Sequence, residues 1–445
     1  MAVAPDRKRA VRSRPAQAES RPFDSWLAKV LQVLGRVGPG IVTGAADDDP
    51  SGIATYSQAG AQFGFTMLWT LFFSYPLMAG IQEISAWIGR VTGMGIAGNI
   101  RRHYSVWVLY PVVALLLIAN VINLGADISA MGEALKLLLG GPALVYSVGF
   151  GTVSAIAAVL VPYRRYSQIL KWSALVLVVY IATAFVAHVH WRSALTATFV
   201  PSISLSTGYM SALMAVFGTT ISPYLFFWQA SQEVEEQQAQ ADEKPLKQAP
   251  GQAPAQLQAM RTGTYLGMGF SNLIAFFIML DAAAVLHAHG KTDIQTATQA
   301  ASALRPLAGK AAFLLFGAGI IGTGLLAIPA LAASSAYALA EALRWPIGLQ
   351  KKLDQAWGFY VTLCVATLLG IALDFTSISP IKALFWSAVI NGVAAVPIMF
   401  VMMLMTANPR LTGTLRLPMP QRIIGWTATV VMFAVAIGVI ATWIN

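Results

Sequence analysis

Charge is scarce in this sequence: 11% of its 445 residues are Asp, Glu, Lys or Arg, where a soluble protein carries about 25%. Cysteine is scarcer still, with Cys364 the only one. It excludes an intramolecular disulfide and any cysteine-based metal cluster. Also missing are the HExxH pair of zinc hydrolases, the phosphate-binding GxxxxGKS/T loop, and a GxSxG elbow in a strand–turn–helix setting. No stretch has the size of a nucleotide-binding domain, which excludes an ATP-driven pump. Enzyme chemistry and a bound cofactor are therefore not expected.

What is present is apolar sequence. Hydrophobic residues make up 57% of the chain, and the mean hydropathy is +0.64. Apolar stretches of about 20 residues, each enough to cross a hydrocarbon core of about 30 Å, recur to the C-terminus. They cover approximately 35–56, 66–89, 105–129, 144–162, 168–187, 208–230, 262–287, 308–340, 356–374, 379–405 and 423–443. None alternates with period two, so the expected fold class is an all-α polytopic membrane protein of eleven helices rather than a barrel.

The net charge of +10 is unevenly spread. Arg7, Lys8, Arg9, Arg12, Arg14 and Arg21 crowd the N-terminal arm. Later clusters are Arg90, Arg101 and Arg102; Arg164, Arg165 and Lys171; Arg344, Lys351 and Lys352; and Arg410, Arg416 and Arg422. With eleven spans these all fall on the side of the N-terminus, whereas opposite loops such as Gly140–Pro142 are nearly uncharged. That pattern predicts a multi-pass protein of the plasma (inner) membrane with its N-terminus cytoplasmic and its C-terminus outside. It also argues against a basic arm that binds nucleic acid.

Residues 1–34 read as a disordered basic cytoplasmic tail, lacking the apolar core and cleavage site of a signal peptide. Residues 35–445 read as one transmembrane domain. Within it, 233–261 is a polar Gln/Ala/Pro-rich segment, expected as a flexible cytoplasmic loop whose charged start continues the sixth helix.

Two spans carry breakers at membrane depth. The first reads GIVTGAADDDPSGIATY, with Asp47, Asp48, Asp49, Pro50 and Gly52; the sixth reads VFGTTISPYLFFWQ, with Gly218, Thr219, Thr220, Ser222 and Pro223. Proline removes a backbone donor and clashes with the carbonyl four residues back, so each helix should unwind just before it. Freed carbonyls are costly in lipid unless they face a cavity or an ion. The breaks lie five helices apart, an odd number, so the two halves must run in opposite orientation. Interrupted spans in matching positions of inverted halves point to a transporter binding site. Two ordinary proline kinks would explain the prolines but not the acids beside one of them.

One acid at the bilayer centre costs about 2.5–3.5 kcal/mol. Three in a row therefore call for a cation, water or protons. Asp49, next to Pro50, is the best placed to hold a cation, with Asp47 and Asp48 lining the approach. In the third span Asn120, Asn123 and Asp127 share one helical face. The asparagines suit either an interhelical hydrogen-bond ladder or a ligand role. Asp127 favours the ligand role, because no Lys or Arg lies within its turn. Glu133 reads as outer rim. Asn272 and Asn391 can offer oxygen ligands or simply pack, while Gln82 and Glu83 are candidates for a polar pathway. Asp281, Asp374 and Lys382 are expected at the interface, and His188, His190, His287 and His289 near the outer boundary.

At this point the sequence resembles the Nramp family of divalent metal transporters, from about Gly38 to the last helix. The most specific part is GPGIVTGAADDDPSGIATYSQAGAQFG, similar to the family's first-helix Asp-Pro-Gly-Asn signature, supported by GRVTG after the second helix and the Gly-x-x-x-x-Pro spacing of the sixth. The resemblance implies a LeuT-like fold: two inverted five-helix repeats plus an eleventh helix, with a metal site between broken helices 1 and 6. Carried over residue by residue, the signature aspartate is Asp49. The signature asparagine falls on Gly52, the sixth-helix Met-Pro-His on Ser222-Pro223-Tyr224, and the carbonyl-donating position on Thr219. The third helix's Asp-x-x-Glu falls on Leu124 and Asp127, so only its second acid has a counterpart.

A methionine sulfur favours softer metals over Mg²⁺, and Ser222 lacks it. Mg²⁺ keeps several waters and is held through one or two carboxylates. The chain thus looks closest to the Nramp-related magnesium transporters. The expected metal set is Asp49, Asp127, Thr219, Ser222, Gly52, Asn123, Asp48 and Asn391. The expected function is secondary transport of Mg²⁺ and Mn²⁺ by alternating access, as substrates and not cofactors, without ATP and without proton coupling. Alternatives are a proton-coupled Mn²⁺/Fe²⁺ symporter and a Na⁺-coupled organic solute carrier, though three acids would repel a substrate carboxylate.

Overall fold

Prolines and glycines set where the helices start and stop. Pro50, Pro223 and Pro380 each occupy the first turn of a helix, where the missing N–H would have had no partner anyway. Gly64, Gly93 and Gly140, at φ +60°, +67° and +74°, close three helices, the first of them the one Pro50 opens, in a region that suits glycine. The computed structural model describes residues 39–161, 173–376 and 378–444. The expected tail 1–34 and the cluster Arg164, Arg165 and Lys171 lie outside the described residues.

The first span is two helices, α1 (Pro39–Asp47) and α2 (Pro50–Phe63). It is followed by α3 (Leu68–Thr92), a short α4 (Ile96–His103), α5 (Val106–Leu139), α6 (Ala143–Leu160), α7 (Val178–Val186) and α8 (Trp191–Phe199). The sixth span is again two helices, α9 (Thr207–Thr220) and α10 (Pro223–Ala239). Then come α11 (Ala253–Asp281), α12 (Ala312–Leu343), α13 (Trp357–Leu373), α14 (Pro380–Thr406) and α15 (Met419–Ile444).

Among the described residues, eight helical stretches are by themselves long and apolar enough to cross a bilayer. One of them, Pro50–Thr92, has 43 residues. At about 1.5 Å per residue it would reach about 65 Å if straight, twice a bilayer core; it turns at Gly64–Met67 and holds the second half of the broken first span together with the whole of the second. The remaining expected spans are the short ones: the broken first, the fifth, and the 17-residue α13.

The order repeats. The first five spans form one half, the next five the other, each opening on a broken helix, and α15 is added at the end. This is the LeuT-like architecture of inverted repeats. Small residues bring the broken helices against their neighbours. A Cβ on Gly44 of α1 would sit 2.2–2.6 Å from the backbone of Gly267 in α11, and one on Gly218 of α9 would sit 2.0 Å from the Ala388 carbonyl of α14. Close backbone approach through small side chains is how helices associate where lipid is as apolar as leucine.

Contacts between loops sort the bundle into two ends. At one, the Leu246 and Lys247 amides bond to the Arg90 and Val91 carbonyls, and Glu341 accepts from the Gly95 and Gly98 amides. At the other, Trp69 Nε1 donates to the Ser202 carbonyl and Gln58 to the Thr292 carbonyl. The first end carries Arg90, Arg101, Arg102, Arg344, Lys351, Lys352 and Arg410. Glu233 to Ala239 are the last residues of α10, and 253–261 form the first turns of α11. Asp281 departs from its expected interfacial place. It is fully buried, and neither carboxylate oxygen has a hydrogen-bond partner. The helix continues past it through a wider π turn, Ala282–Leu286, so closeness to the end of the apolar window does not mean exposure.

Candidate metal site

At the first break Asp49 is extended (φ −74°, ψ 169°) and caps α2. Its Oδ1 accepts from the Gly52 amide and the Ser51 hydroxyl, both at 2.7 Å. Its Oδ2 accepts from Asn123 Nδ2 at 3.1 Å. That same amide group lies 3.4 Å from Asp127 Oδ2, and Ser387 of α14 donates to Asn123 Oδ1 at 2.9 Å. One asparagine thus bridges the two acids and is itself held by a third helix. All four side chains are buried, and Asp127 Oδ1 has no hydrogen-bond partner.

Among the described residues, ion pairs engage Glu133, Glu83 and the glutamates around Arg90, not Asp49 or Asp127. Two buried carboxyls so close together demand a cation or a proton between them.

The second break mirrors the first in backbone but not in side chain. Ser222 is extended (φ −82°, ψ 129°) before Pro223 and makes no cap bond. Its hydroxyl turns back to the Gly218 and Thr219 carbonyls, both at 2.9 Å. Tyr224 crosses to the first break and donates to the Ala46 carbonyl at 2.9 Å. Carbonyls left over where α1 and α9 stop are therefore occupied by two hydroxyls. The breaks meet at Gly52, where a Cβ would lie 3.2 Å from Thr219 Oγ1 and 3.5 Å from Asp49 Oδ1.

Asp49, Gly52, Asn123, Asp127 and Thr219 thus come together, with Ser222 one turn away on its own helix end. Asp48 does not join them. With Asp47 it turns to Ser271 of α11, whose hydroxyl lies 2.9 Å from Asp48 Oδ1 and 2.6 Å from Asp47 Oδ2. Asn391 is buried one turn beyond Ser387, and neither its oxygen nor its nitrogen has a partner. Asn120 is a ladder residue, bonded to the Leu331 carbonyl, Ser334 and Ser335 of α12. Asn272 donates to the Leu71 carbonyl, and Gln82 bonds the Leu225 carbonyl and Gln229. Glu83 pairs with Arg261 at 2.8 Å. His287 bonds the Ala61 carbonyl, and His188 and His190 are exposed.

Four contributors escaped the sequence reading: Ser51, Ser271 and Ser387 as donors, and Tyr224 as the link between breaks. Ser387 had one signal, its place four residues before Asn391 on the same helical face. Among the described residues, no three of His, Cys, Asp and Glu gather as a metal cage. What the geometry offers is two carboxylates ringed by neutral oxygens and backbone carbonyls. That set suits a hard, partly hydrated divalent ion.

Comparison with known proteins agrees with this geometry. The family profile described as natural resistance-associated macrophage protein-like (Nramp) matches residues 40–442. A "Divalent metal cation transporter MntH" of Klebsiella pneumoniae is 26% identical over 411 residues, covering 90% of this chain and 92% of that protein. Among solved structures, a manganese transporter of Eremococcus coleocola superposes with a TM-score of 0.71 at 15% identity, covering 94% of this chain and 87% of that one. The transporter MhsT in complex with L-phenylalanine gives 0.57 at 13% identity, covering 91% and 97%. At such identities these last two speak to the fold.

Proposed function

The chain belongs to the Nramp family, and from that premise we propose that it is a multi-pass membrane transporter importing divalent metal cations, Mg²⁺ and Mn²⁺, by alternating access and without proton coupling. The observation that carries this is the pair Asp49 and Asp127, buried and bridged by Asn123 between the two helix breaks. Asp49 is the principal ligand and Asp127 acts directly or through a retained water. The carbonyls of Ala46, Gly218 and Thr219 now accept from Tyr224 and Ser222. An arriving cation exchanges those hydroxyl bonds for its own, which ties ion binding to the movement of α1 and α9.

Selectivity follows from Ser222 and Gly52. Neither brings a sulfur, and hard oxygen donors do not discriminate against Mg²⁺. Leu124 and Tyr224 stand where the family resemblance places an acid and a histidine, which removes two proton acceptors. We place the Arg90 end in the cytoplasm, with the N-terminal tail beside it and the C-terminus outside. In proteoliposomes, Mg²⁺ and Mn²⁺ influx should be abolished by Asp49→Ala and strongly reduced by Asp127→Ala; unchanged flux in the first variant would reject the site.

The second reading is a proton-coupled Mn²⁺/Fe²⁺ symporter. One observation favours it: the single Ser271 hydroxyl hydrogen faces two carboxyls, Asp47 and Asp48, so a carboxyl proton is the natural supplier of the second bond. Robust acid-stimulated Mn²⁺ flux with no Mg²⁺ flux would decide for it.

A further inference from the structure

A cavity of about 440 Å³ opens at the Arg90 end of the bundle, between α4, α10 and α12. Its wall holds three guanidinium groups, Arg101 and Arg102 from α4 and Arg344 just past α12, together with Val234, Gln238 and Glu341. Among the described residues none of these arginines is in an ion pair, and Arg101 Nε is buried without a hydrogen-bond partner. Glu341 is the one carboxylate in the wall. Both its oxygens are already committed to backbone, to the Gly95 amide at 2.7 Å and the Gly98 amide at 2.8 Å.

Two further features mark the place. Arg344 is the only non-glycine residue at positive φ (61°) among those described, a left-handed turn normally left to glycine. Next to Arg102 in sequence, His103 at the end of α4 has its pKa held below the ordinary histidine value, by burial first and then by Arg102, Lys247 and Arg410. Three arginines against one carboxylate leave the wall net positive. The positive-inside rule accounts for arginines at this end. It does not account for three of them meeting in one cavity, nor for an arginine where glycine belongs.

We propose that this cavity binds a phosphate group at the membrane surface, presented by an anionic phospholipid headgroup or by free phosphate. Guanidinium forks match phosphate oxygens in a bidentate way, and basic pockets between helices at this depth are where anionic headgroups settle. A phosphate there clamps α4, α10 and the end of α12 together. Since α10 starts at the Ser222 break, occupancy biases the conformational cycle without touching the metal site, and the inference stands apart from the choice of metal.

The test is native mass spectrometry and thermal melting of the purified full-length chain, with phosphatidylglycerol, phosphatidylcholine or inorganic phosphate added. The expected result is one phosphatidylglycerol retained per chain and a raised Tm, with phosphatidylcholine inert. Retention should fall at least tenfold in Arg101→Gln/Arg344→Gln but stay unchanged in Lys136→Gln at the opposite end. Arg344→Gly relieves the turn while removing the charge, so it should fold at least as well and still lose affinity. Inorganic phosphate raising Tm while phosphatidylglycerol does not would identify the free anion as the source. Equal binding by wild type and the arginine variants, or no binding of either phosphate source, would overturn the proposal.

Discussion

Asp49 does two things with its two oxygens. Oδ1 caps α2 by accepting from Gly52 and Ser51, while Oδ2 faces Asn123 and Asp127. The two roles separate by substitution. Asparagine caps a helix about as well as aspartate, whereas alanine loses about 0.5–2 kcal/mol. Asp49→Asn should therefore keep a near wild-type Tm while metal uptake disappears; Asp49→Ala should lose both. Retained uptake in the Asn variant would mean that the charge is not what holds the ion. Ser222 makes a selectivity prediction. Ser222→Met introduces a soft donor and should raise the Mn²⁺ over Mg²⁺ preference by about tenfold (about 1.4 kcal/mol), read from competition uptake.

At this scale the sequence was legible where residue type alone decides. Acids beside a proline inside an apolar span left few readings for Asp49. Asn120 and Asn123 could not be separated, because they share a helical face and differ only in depth. The structure sends one to α12 and the other to the acids. Asp48 belongs to the expected metal set and turns elsewhere for another reason: in unwound backbone the side-chain direction follows no period, and only the position of Ser271 shows where it goes.

At the scale of elements, α3, α10 and the loop after α10 are locked by one side chain. Arg90 is buried and reaches Glu233 and Glu243, each at 2.6 Å, and Glu236 at 3.5 Å. Glu233 is fully buried, so removing its partner strands a charge at a cost of about 3–5 kcal/mol. Arg90→Ala should accordingly lower Tm by several degrees or more in a thermal melt, and Arg90→Ala/Glu233→Gln should recover part of the loss. An unchanged melt would show that water already solvates Glu233. The seat of α1 on α11 depends on close backbone approach at two glycines, Gly40 against Gly263 and Thr264 and Gly44 against Gly267. Hydropathy located α3 to within about three residues, while α10 and α11 run about nine residues further into the polar segment 233–261 than their apolar windows. It could not place Asp281, because a position near the end of the window 262–287 does not tell which neighbours cover that end.

The whole molecule follows from two patterns that a linear reading can see, the matched breaks and the alternation of basic loops. Sidedness has its own check. In a Cys364→Ala background, Lys136→Cys should react with an impermeant thiol reagent added outside intact cells, and Lys247→Cys only after the membrane is opened. The reverse pattern would invert the assignment. What a linear reading cannot supply is the convergence of α2, α5 and α14 on Asn123, since that depends on how the two halves interlock.

The central claim is a hard-oxygen divalent site that moves its ion downhill. Its most direct test is uptake of Mg²⁺, Mn²⁺ and Ca²⁺ into proteoliposomes carrying an internal pH indicator. The account predicts entry of Mg²⁺ and Mn²⁺, driven by a negative internal potential, with no acidification of the lumen. Mn²⁺ entry that excludes Mg²⁺ and acidifies the lumen in step would contradict it.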